Sequence, residues 1–516
     1  MLGNDYFGGE IDLFSEKKTG IILSYLIEAV KILISLVYTP LMLRLLGRSE
    51  FGLYQLVQSV VAYLGLLSFG FGSAYMRYYS RYKAQGDAEE IARLNGMFLT
   101  IFCVISVICL CCGSVMILNI EYIFGTGLKI HEIATARILM ALMVFNLSIT
   151  FPDAVFNNFV IAHEKFIFQK IRILLQTLFH PFITLPLLIM GYGSIGMVVV
   201  TTGLTIAVFL ANIVFCFKKL NVRFQFNGFK WNTFKELFIF TFFIFLNQII
   251  DQINWNVDKF LLGRLVGTTS VAVYGVGAML NTLYKQLSTS ISHIFVPQIN
   301  RIVAEEQGDN KLTQLLTKVG RIQFLILALV LTGMCFFGKA FIRIWAGPDY
   351  TNAYFVVLLL IIPETVPLIQ NLGIEIQRAK NKHKMRSVVY FFMAIANILI
   401  SIPLIKYWGE VGAALGTTFS LLIANIMFMN WYYQKKINLD MFYFWKRICA
   451  LSKGLIVPLI VGTGISNLFN TDTIFNFCFA VVVYTIVYVI SMWLFGMIDE
   501  EKKQTLTLFR LKGLQH

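Results

Sequence analysis

A stripe of amide and carboxylate side chains runs through an otherwise apolar stretch near the middle of the chain. Its members recur at intervals of four, three and four residues: Asn247, Asp251, Asn254 and Asp258. This spacing places them on one face of an α-helix. Hydrocarbon cannot solvate such a face, because an ionisable group at membrane depth costs from about 2.5 to more than 10 kcal/mol. The stripe therefore predicts a wet surface, where Asn247 and Asn254 bind substrate and Asp251 and Asp258 couple to an ion.

A second polar group lies in the first apolar stretch. Glu28 and Lys31 are three residues apart, so on a helix they can neutralise one another. Two interpretations remain open. Either they form a buried ion pair that holds helices together, or Lys31 contacts substrate while Glu28 or Asp251 changes protonation.

Three more ionisable residues are candidates. Lys285 is a cation inside a later apolar stretch, and it either snorkels to an interface or contacts substrate. Arg77 ends an early helix, where the alternatives are simple anchoring and substrate contact. Glu364 follows Pro363, and a proline kink leaves carbonyls beside the carboxylate that can bind Na⁺ or a proton. Asp153, which follows Pro152, is interpreted as a solvated helix end.

Composition sets the protein class. Hydrophobic residues make up 57% and charged residues 14% of the 516 residues, and the mean hydropathy is +0.72. These values are typical of a polytopic membrane protein. The net charge of +15 is assigned to loops beside anionic lipid heads, so no nucleic-acid partner is expected. The eight cysteines are interpreted as small core residues, and no metal site is predicted.

Apolar windows long enough to cross a bilayer predict fourteen helices. They lie at about 20–45, 51–74, 94–118, 132–156, 168–190, 195–217, 237–258, 268–295, 322–345, 352–373, 387–405, 411–433, 452–468 and 474–496. Loops on one side hold the basic residues at a ratio of about four to one, which predicts that both termini are cytoplasmic.

The second half of the chain repeats the first. LLGRSEFGLYQ at 45–55 recurs as RLVGTTSVAVYG at 264–275, GSIG at 193–196 recurs as GEVG at 409–412, and ANI follows each of the latter. We therefore predict an all-α fold of two six-helix lobes with two C-terminal helices added. The predicted boundaries are 1–220, a linker at 221–236, a second lobe at 237–436, and 437–516. Repeated lobes enclosing a midplane site are typical of secondary transporters, so the stripe is expected to face their cleft.

The element formed by Leu46, Gly47, Phe51, Gly52 and Tyr54, the GSIG and GEVG helix starts, and the span count resemble one known group. The chain is similar to Wzx-type O-antigen or capsule repeat-unit flippases, in the polysaccharide-transport branch of the MATE-like superfamily. The resemblance implies a bacterial inner-membrane protein that moves an undecaprenyl-pyrophosphate-linked oligosaccharide from the cytoplasmic to the periplasmic leaflet. With such a substrate, Lys31, Lys285 and Arg77 are the candidates for contact with the pyrophosphate. Trp255 and Tyr284 either stack on sugars or are core or interface residues. Membrane lipids, glycosyltransferases and a polymerase are the implied partners.

Energy for such a step is expected from a proton or Na⁺, because the sequence has no Walker-type phosphate loop. No cofactor or catalytic residue is predicted. The alternatives are a flippase for lipid-linked cell-wall precursors, a MATE-type cation or drug exporter, and, from another class, a membrane-embedded polymerase or ligase. The last class is disfavoured because the chain has no DxD motif and no long outside loop.

Overall fold

The computed structural model describes residues 5–227, 231–382 and 384–503, and these residues are helical with short connections and without β-strands. Helices dominate because a segment in hydrocarbon must satisfy every backbone N–H and C=O within itself. The chain divides into two compact units, Met1–Ala272 and Val273–His516. Part of the predicted linker, at 228–230, and the tail after 503 lie outside the described residues.

Within the residues that the structure describes, unit 1 contains eight helices. They are α1 (Asp5–Leu64), α2 (Phe71–Gln85), α3 (Ala88–Leu118), α4 (Ile120–Phe124), α5 (Ile130–Ala162), α6 (Phe166–Ile189), α7 (Gly193–Lys218) and α8 (Trp231–Leu265). Helix α5 packs against α3, α7 and α1, and α1 packs against α6 and α8. Helix α9 (Thr268–Ile294) begins in unit 1, and the boundary between the units falls within it, after Ala272.

The described part of unit 2 contains the rest of α9 and nine further helices. They are α10 (Val296–Ala304), α11 (Asp309–Trp345), α12 (Ala353–Ile369), α13 (Asn371–Ala379), α14 (Lys384–Leu421), α15 (Asn430–Tyr432), α16 (Met441–Leu451), α17 (Ile456–Leu468) and α18 (Ile474–Ser491). Three π-helical segments, Leu422–Met429, Tyr433–Ile437 and Met492–Gly496, continue or follow these helices. Helix α11 packs against α12, α16, α17 and α18.

The all-α membrane fold is confirmed, while the count of fourteen spans stays a prediction. Within the described residues, nine helices are long and apolar enough to cross a membrane, or ten if α12 and α13 form one bent span. Two of the long helices are interrupted. Non-helical backbone at Gly47 breaks α1, and non-helical backbone at Gly409 breaks α14. Each interruption falls between two of the predicted windows. The predicted lobe boundaries also stay a prediction.

The repeated glycines have nearly the same backbone φ angle. Gly193 has φ +55° and Gly409 has φ +54°, a region that residues with a Cβ rarely adopt. The space at Gly193 is also filled, since a Cβ there would lie 2.2 Å from Glu50 Oε1. That carboxylate accepts hydrogen bonds from the backbone N–H (2.6 Å) and hydroxyl (2.8 Å) of Ser194 at the start of α7.

Replacing Gly193 by alanine is therefore expected to destabilise unit 1 by about 1–3 kcal/mol, because the left-handed conformation alone costs about 1–2 kcal/mol. Gly203, on the same helix, has open space around its Cα, so Gly203→Ala is the matched control and is expected to be neutral or slightly stabilising. Unfolding of the purified variants in detergent measures both. Equal behaviour of the two variants would contradict the assigned conformation of Gly193.

A buried carboxylate ties together both copies of the first repeat motif. Glu132, at the start of α5, is 4% exposed. Its Oε1 accepts hydrogen bonds from Ser49 (2.5 Å) and Thr268 (2.8 Å), which belong to the two motif copies. The start of α9 is thus anchored within unit 1, a contact that the sequence did not predict.

The two C-terminal helices that lack a repeat partner pack on α11. Ala328 on α11 lies in one apolar cluster with Tyr488 and Met492. Phe337 lies in another with Ala480 and Tyr484. The Tyr488 hydroxyl also donates to the Leu325 carbonyl at 2.7 Å. These helices are therefore part of the core of unit 2.

The expectation that all cysteines are core residues was wrong. Cys109 and Cys216 are buried and Cys335 is intermediate, but the other five are exposed: Cys103, Cys111, Cys112, Cys449 and Cys478. The error has a physical cause. The surface of a membrane helix that faces lipid is as apolar as its core, so an apolar sequence context does not establish burial.

Candidate substrate and ion-coupling sites

The polar stripe lies on one continuous helix. Because α8 is unbroken from Trp231 to Leu265, Asn247, Asp251, Asn254 and Asp258 share a face. The exposure of these side chains decreases along the face toward its C-terminal end. Asn247 and Asp251 are exposed, Asn254 is intermediate, and Asp258 is 2% exposed. On a helix that crosses a membrane, exposed amide and carboxylate groups require water nearby, since lipid would not solvate them.

The buried end of the stripe meets polar groups of α1. Gln55, Ser59 and Tyr63 recur every four residues on α1, and Tyr63 lies within electrostatic range of Asp258. The Lys259 ammonium donates to Gln55 Oε1 at 2.9 Å. Lys259 comes directly after the predicted window 237–258 and was not among the predicted site residues. A lysine directly after a candidate carboxylate is the signal that could have pointed to it.

The Glu28–Lys31 ion pair forms, with 3.1 Å between Lys31 Nζ and Glu28 Oε1. It is not the buried pair of the first interpretation, because the two side chains are 46% and 44% exposed. Exposed pairs contribute about 0–1 kcal/mol to stability. Lys31 and Glu28 can therefore exchange partners at little cost in stability.

Arg77 lies exposed on α2. The neighbouring Tyr78 hydroxyl donates to Glu236 at 3.2 Å and is within electrostatic range of Arg77. Its predicted contact with substrate stays a prediction. Trp255 on α8 is 44% exposed, so its ring is available for contact.

In unit 2 the structure brings together two residues that the sequence treated separately. The Lys285 ammonium lies 2.8 Å from Glu364 Oε1, and these side chains are only 18% and 11% exposed. The Lys285 ammonium is therefore held by a carboxylate within unit 2. The pairing follows from the packing of α9 on α12, where Ser288 also donates to the Leu368 carbonyl at 2.7 Å.

Tyr284 belongs to the same packing. It is 3% exposed, and its hydroxyl lies 2.7 Å from Thr365 Oγ1. Its ring is therefore enclosed by unit 2, and of the two aromatic candidates only Trp255 offers an accessible face.

Asp153 is not a solvated helix end. Its Oδ1 accepts a hydrogen bond from the Asn212 amide at 2.6 Å. Arg172 donates to Asn212 Oδ1 at 2.6 Å and to Asn157 Oδ1 at 2.9 Å. Arg172 was not among the predicted site residues. These four residues from α5, α6 and α7 form one network, and Asn212 at its centre is fully buried.

Across the described ranges, no group of three or more His, Cys, Asp or Glu side chains is arranged to hold a metal ion. The polar groups of both units are instead ion pairs and amide networks within apolar helices. Such groups in membrane helices mark substrate and ion pathways.

The fold is an all-α, multi-pass membrane fold that has a solved counterpart. It matches the structure described as the lipid II flippase MurJ in an inward closed conformation, with a TM-score of 0.73 and 17% identity, covering 91% of this chain and 98% of that one. Residues 18–303 match the polysaccharide biosynthesis protein family, and the chain belongs to that family.

Curated relatives extend the match along the chain. It is 22% identical to the uncharacterized membrane protein EpsK of Bacillus subtilis (strain 168), covering 92% of this chain and 94% of EpsK. It is 20% identical to a putative O-antigen transporter of Shigella flexneri, covering 79% of this chain and 95% of that protein. The resemblance to polysaccharide-transport flippases is thus confirmed.

Proposed function

We propose that this protein flips undecaprenyl-pyrophosphate-linked oligosaccharide units from the cytoplasmic to the periplasmic leaflet of a bacterial inner membrane. Membership of the polysaccharide biosynthesis family carries the proposal. The O-antigen transporter relative supports the lipid-linked glycan as substrate class. The basic loops of the sequence support cytoplasmic termini.

The candidate polar and aromatic residues bind the substrate. Lys31, Lys285 and Arg77 attract the diphosphate, and Asn247, Asn254 and Trp255 contact the sugars. The exposed amide of Asn247, the partly exposed amide of Asn254 and the exposed indole of Trp255 suit this role, because carbohydrates offer both hydroxyl groups and apolar ring faces.

Alternating access is coupled to a proton or Na⁺ through carboxylates. Glu28 and Glu364 are each held by a lysine in this structure, at 3.1 Å and 2.8 Å. Asp251 and Asp258 lie at the exposed and buried ends of one helix face. A carboxylate that exchanges a lysine for a mobile cation or a proton converts ion movement into conformational change.

The test uses a deletion strain that carries the chain or its variants. Loss of the protein is expected to trap lipid-linked oligosaccharide on the cytoplasmic side and to remove surface polysaccharide. Lys31→Gln is expected to lower export at least tenfold without unfolding the protein, because the pair that it breaks is exposed. Lys406, an exposed lysine of α14, provides the control variant Lys406→Gln. Radiolabelled lipid-linked sugar in each leaflet is the readout, and normal export in the deletion strain would refute the proposal.

A second candidate substrate is a lipid-linked cell-wall precursor, favoured by the fold match to the lipid II flippase. The same deletion strain separates the two, because it would then accumulate cell-wall precursor and lose viability. If the only defect of the deletion strain is a loss of cationic drug efflux, the exporter alternative is favoured. Glycan that reaches the periplasm but stays unpolymerised would favour the enzyme class.

A further inference from the structure

One side of a candidate membrane span in unit 2 is exposed and carries two lysines. The span Met441–Leu468 comprises α16, a 3₁₀ turn at Ser452–Leu455 and α17. We call its exposed side the outer face, on which residues recur about once per helical turn: Lys446, Cys449, Ala450, Lys453, Ile456 and Ile460. The residues of α16 on the opposite side are buried: Met441, Phe444, Ile448 and Leu451.

Packing of the buried side fixes the orientation of the outer face. Phe444 lies against Gly320 of α11, where an added Cβ would be 2.7 Å from the ring. The Ser491 hydroxyl of α18 donates to the Gly454 carbonyl at 2.7 Å. A Cβ added at Gly454 would lie 2.7 Å from the sulfur of Met492. The span is thus held by α11 and α18, and the outer face stays at the surface of unit 2.

The outer face changes from basic to apolar at Lys453. Beyond it, Ile456 and Ile460 are 57% and 67% exposed, a surface that hydrocarbon solvates better than water. A lysine at the end of such a surface places its ammonium at the level of the lipid headgroups. Lys446 is seven residues before Lys453, which is about 10 Å along a helix. The headgroup layer is about 5–7 Å thick on each side of a bilayer, so a phosphate midway between the two lysines lies within it.

The two lysines are accessible to a ligand. Lys446 and Lys453 are exposed, and in the part of the chain that the structure describes neither ammonium pairs with a carboxylate. Between them lie Cys449 and Ala450, whose short side chains leave space beside the helix. An ammonium binds a phosphate group as a point charge. The outer face is therefore complementary to an anionic headgroup whose phosphate lies over Ala450.

We propose that the outer face binds an anionic phospholipid, with the phosphate between Lys446 and Lys453 and the acyl chains along the apolar surface of α17. Basic groups near the ends of membrane helices hold anionic headgroups by the same attraction. The specific feature of this site is a gap, formed by two small residues, with a cation on either side. The inference does not depend on the proposed function, and the predicted topology puts the site in the cytoplasmic leaflet.

Binding is measured by native mass spectrometry of the full-length protein in detergent, with dioleoyl phosphatidylglycerol and dioleoyl phosphatidylcholine as probes. The native protein is expected to bind the anionic lipid at least tenfold more tightly. The double variant Lys446→Gln with Lys453→Gln should lose this preference, because each lysine near the headgroup contributes to the attraction. The matched control is Lys218→Gln with Lys219→Gln, which removes the same charge from the exposed end of α7, and a change of less than twofold is expected.

A further variant tests the gap between the lysines instead of their charge. Ala450→Leu keeps both lysines but fills the space between them, so binding of phosphatidylglycerol is expected to weaken at least fivefold. Because Ala450 is exposed, the longer side chain should leave the fold intact, which thermal unfolding of the variant checks.

Four results overturn the proposed lipid site. Equal affinity of the native protein for the two lipids would show no selection for negative charge. Equal weakening in the two double-lysine variants would show a general attraction by basic loops. Unchanged binding in Ala450→Leu would show that the headgroup does not occupy the gap. Competition by glycerol 1-phosphate as strong as that by phosphatidylglycerol would show a site for free phosphate compounds. The proposed function is tested separately, by export in the deletion strain.

Discussion

Replacing Lys285 by alanine is expected to lower the free energy of unfolding by about 3–5 kcal/mol, the usual effect of removing one partner of a buried ion pair. The substitution leaves Glu364, which is 11% exposed, without its ammonium partner at 2.8 Å. The carboxylate must then remain charged in an apolar bundle or take up a proton, and either change destabilises the fold. Equilibrium unfolding of the purified protein in mixed detergent micelles measures the loss.

Exchanging the two charges separates the contribution of the Lys285–Glu364 pair to protein stability from its contribution to export. The double variant Lys285→Glu with Glu364→Lys retains opposite charges in contact, so most of the lost stability should return. Export should stay impaired, because the cation no longer lies on α9 beside the incoming substrate. Lys31→Ala breaks the exposed Glu28–Lys31 pair and is the control, with an expected change of about 0–1 kcal/mol. A Lys285→Ala variant as stable as Lys31→Ala would show that the Lys285–Glu364 pair is not buried.

Replacing Arg321 by alanine is expected to be similarly severe, at about 3–5 kcal/mol. Arg321 on α11 is 2% exposed. Its guanidinium binds both Glu501 oxygens, at 2.5 and 2.9 Å, and donates to the Arg447 carbonyl at 2.5 Å and the Gly496 carbonyl at 3.3 Å. Truncation removes these four hydrogen bonds and leaves a carboxylate and carbonyl groups without this donor. Helix α18 should then detach from α11 first, which limited proteolysis near Glu501 would detect.

Another arginine on α11 provides the control. Arg343 pairs with Asp472 in the connection between α17 and α18, but the two side chains are 43% and 56% exposed. Arg343→Ala is expected to change stability by about 0–1 kcal/mol. Equal protease sensitivity in the two variants would contradict the assignment of Arg321 as the anchor of the C-terminal helices.

The local features of this protein follow from its sequence. Hydrocarbon forces a lipid-facing segment to satisfy its own backbone, so apolar runs indicate helices. Spacing along a helix is fixed, which is why the sequence predicts the shared face of Asn247 and Asp258 and the Glu28–Lys31 contact. The sequence also reveals the internal repeat. The backbone has positive φ at Gly193 and Gly409, which favours glycine, so the same residue type recurs at both places.

Contacts between distant segments required the tertiary structure. Lys285 and Glu364 are 79 residues apart, and each alone is compatible with several roles. The same holds for Asp153, Arg172 and Asn212, of which only Asp153 was singled out from the sequence, as a solvated helix end. The packing of α9 on α12 brings Lys285 to Glu364. The packing of α5, α6 and α7 brings Asp153 and Arg172 to Asn212.

Burial also required the structure, for a reason specific to membranes. In water an apolar stripe marks the side of a helix that is buried. In lipid both the core and the outer surface are apolar, so hydropathy does not separate Cys109, which is buried, from Cys111, which is exposed. The sequence therefore determined the class, the helices and the repeat of this protein, and the folded chain decided which polar residues meet and how deeply each one lies.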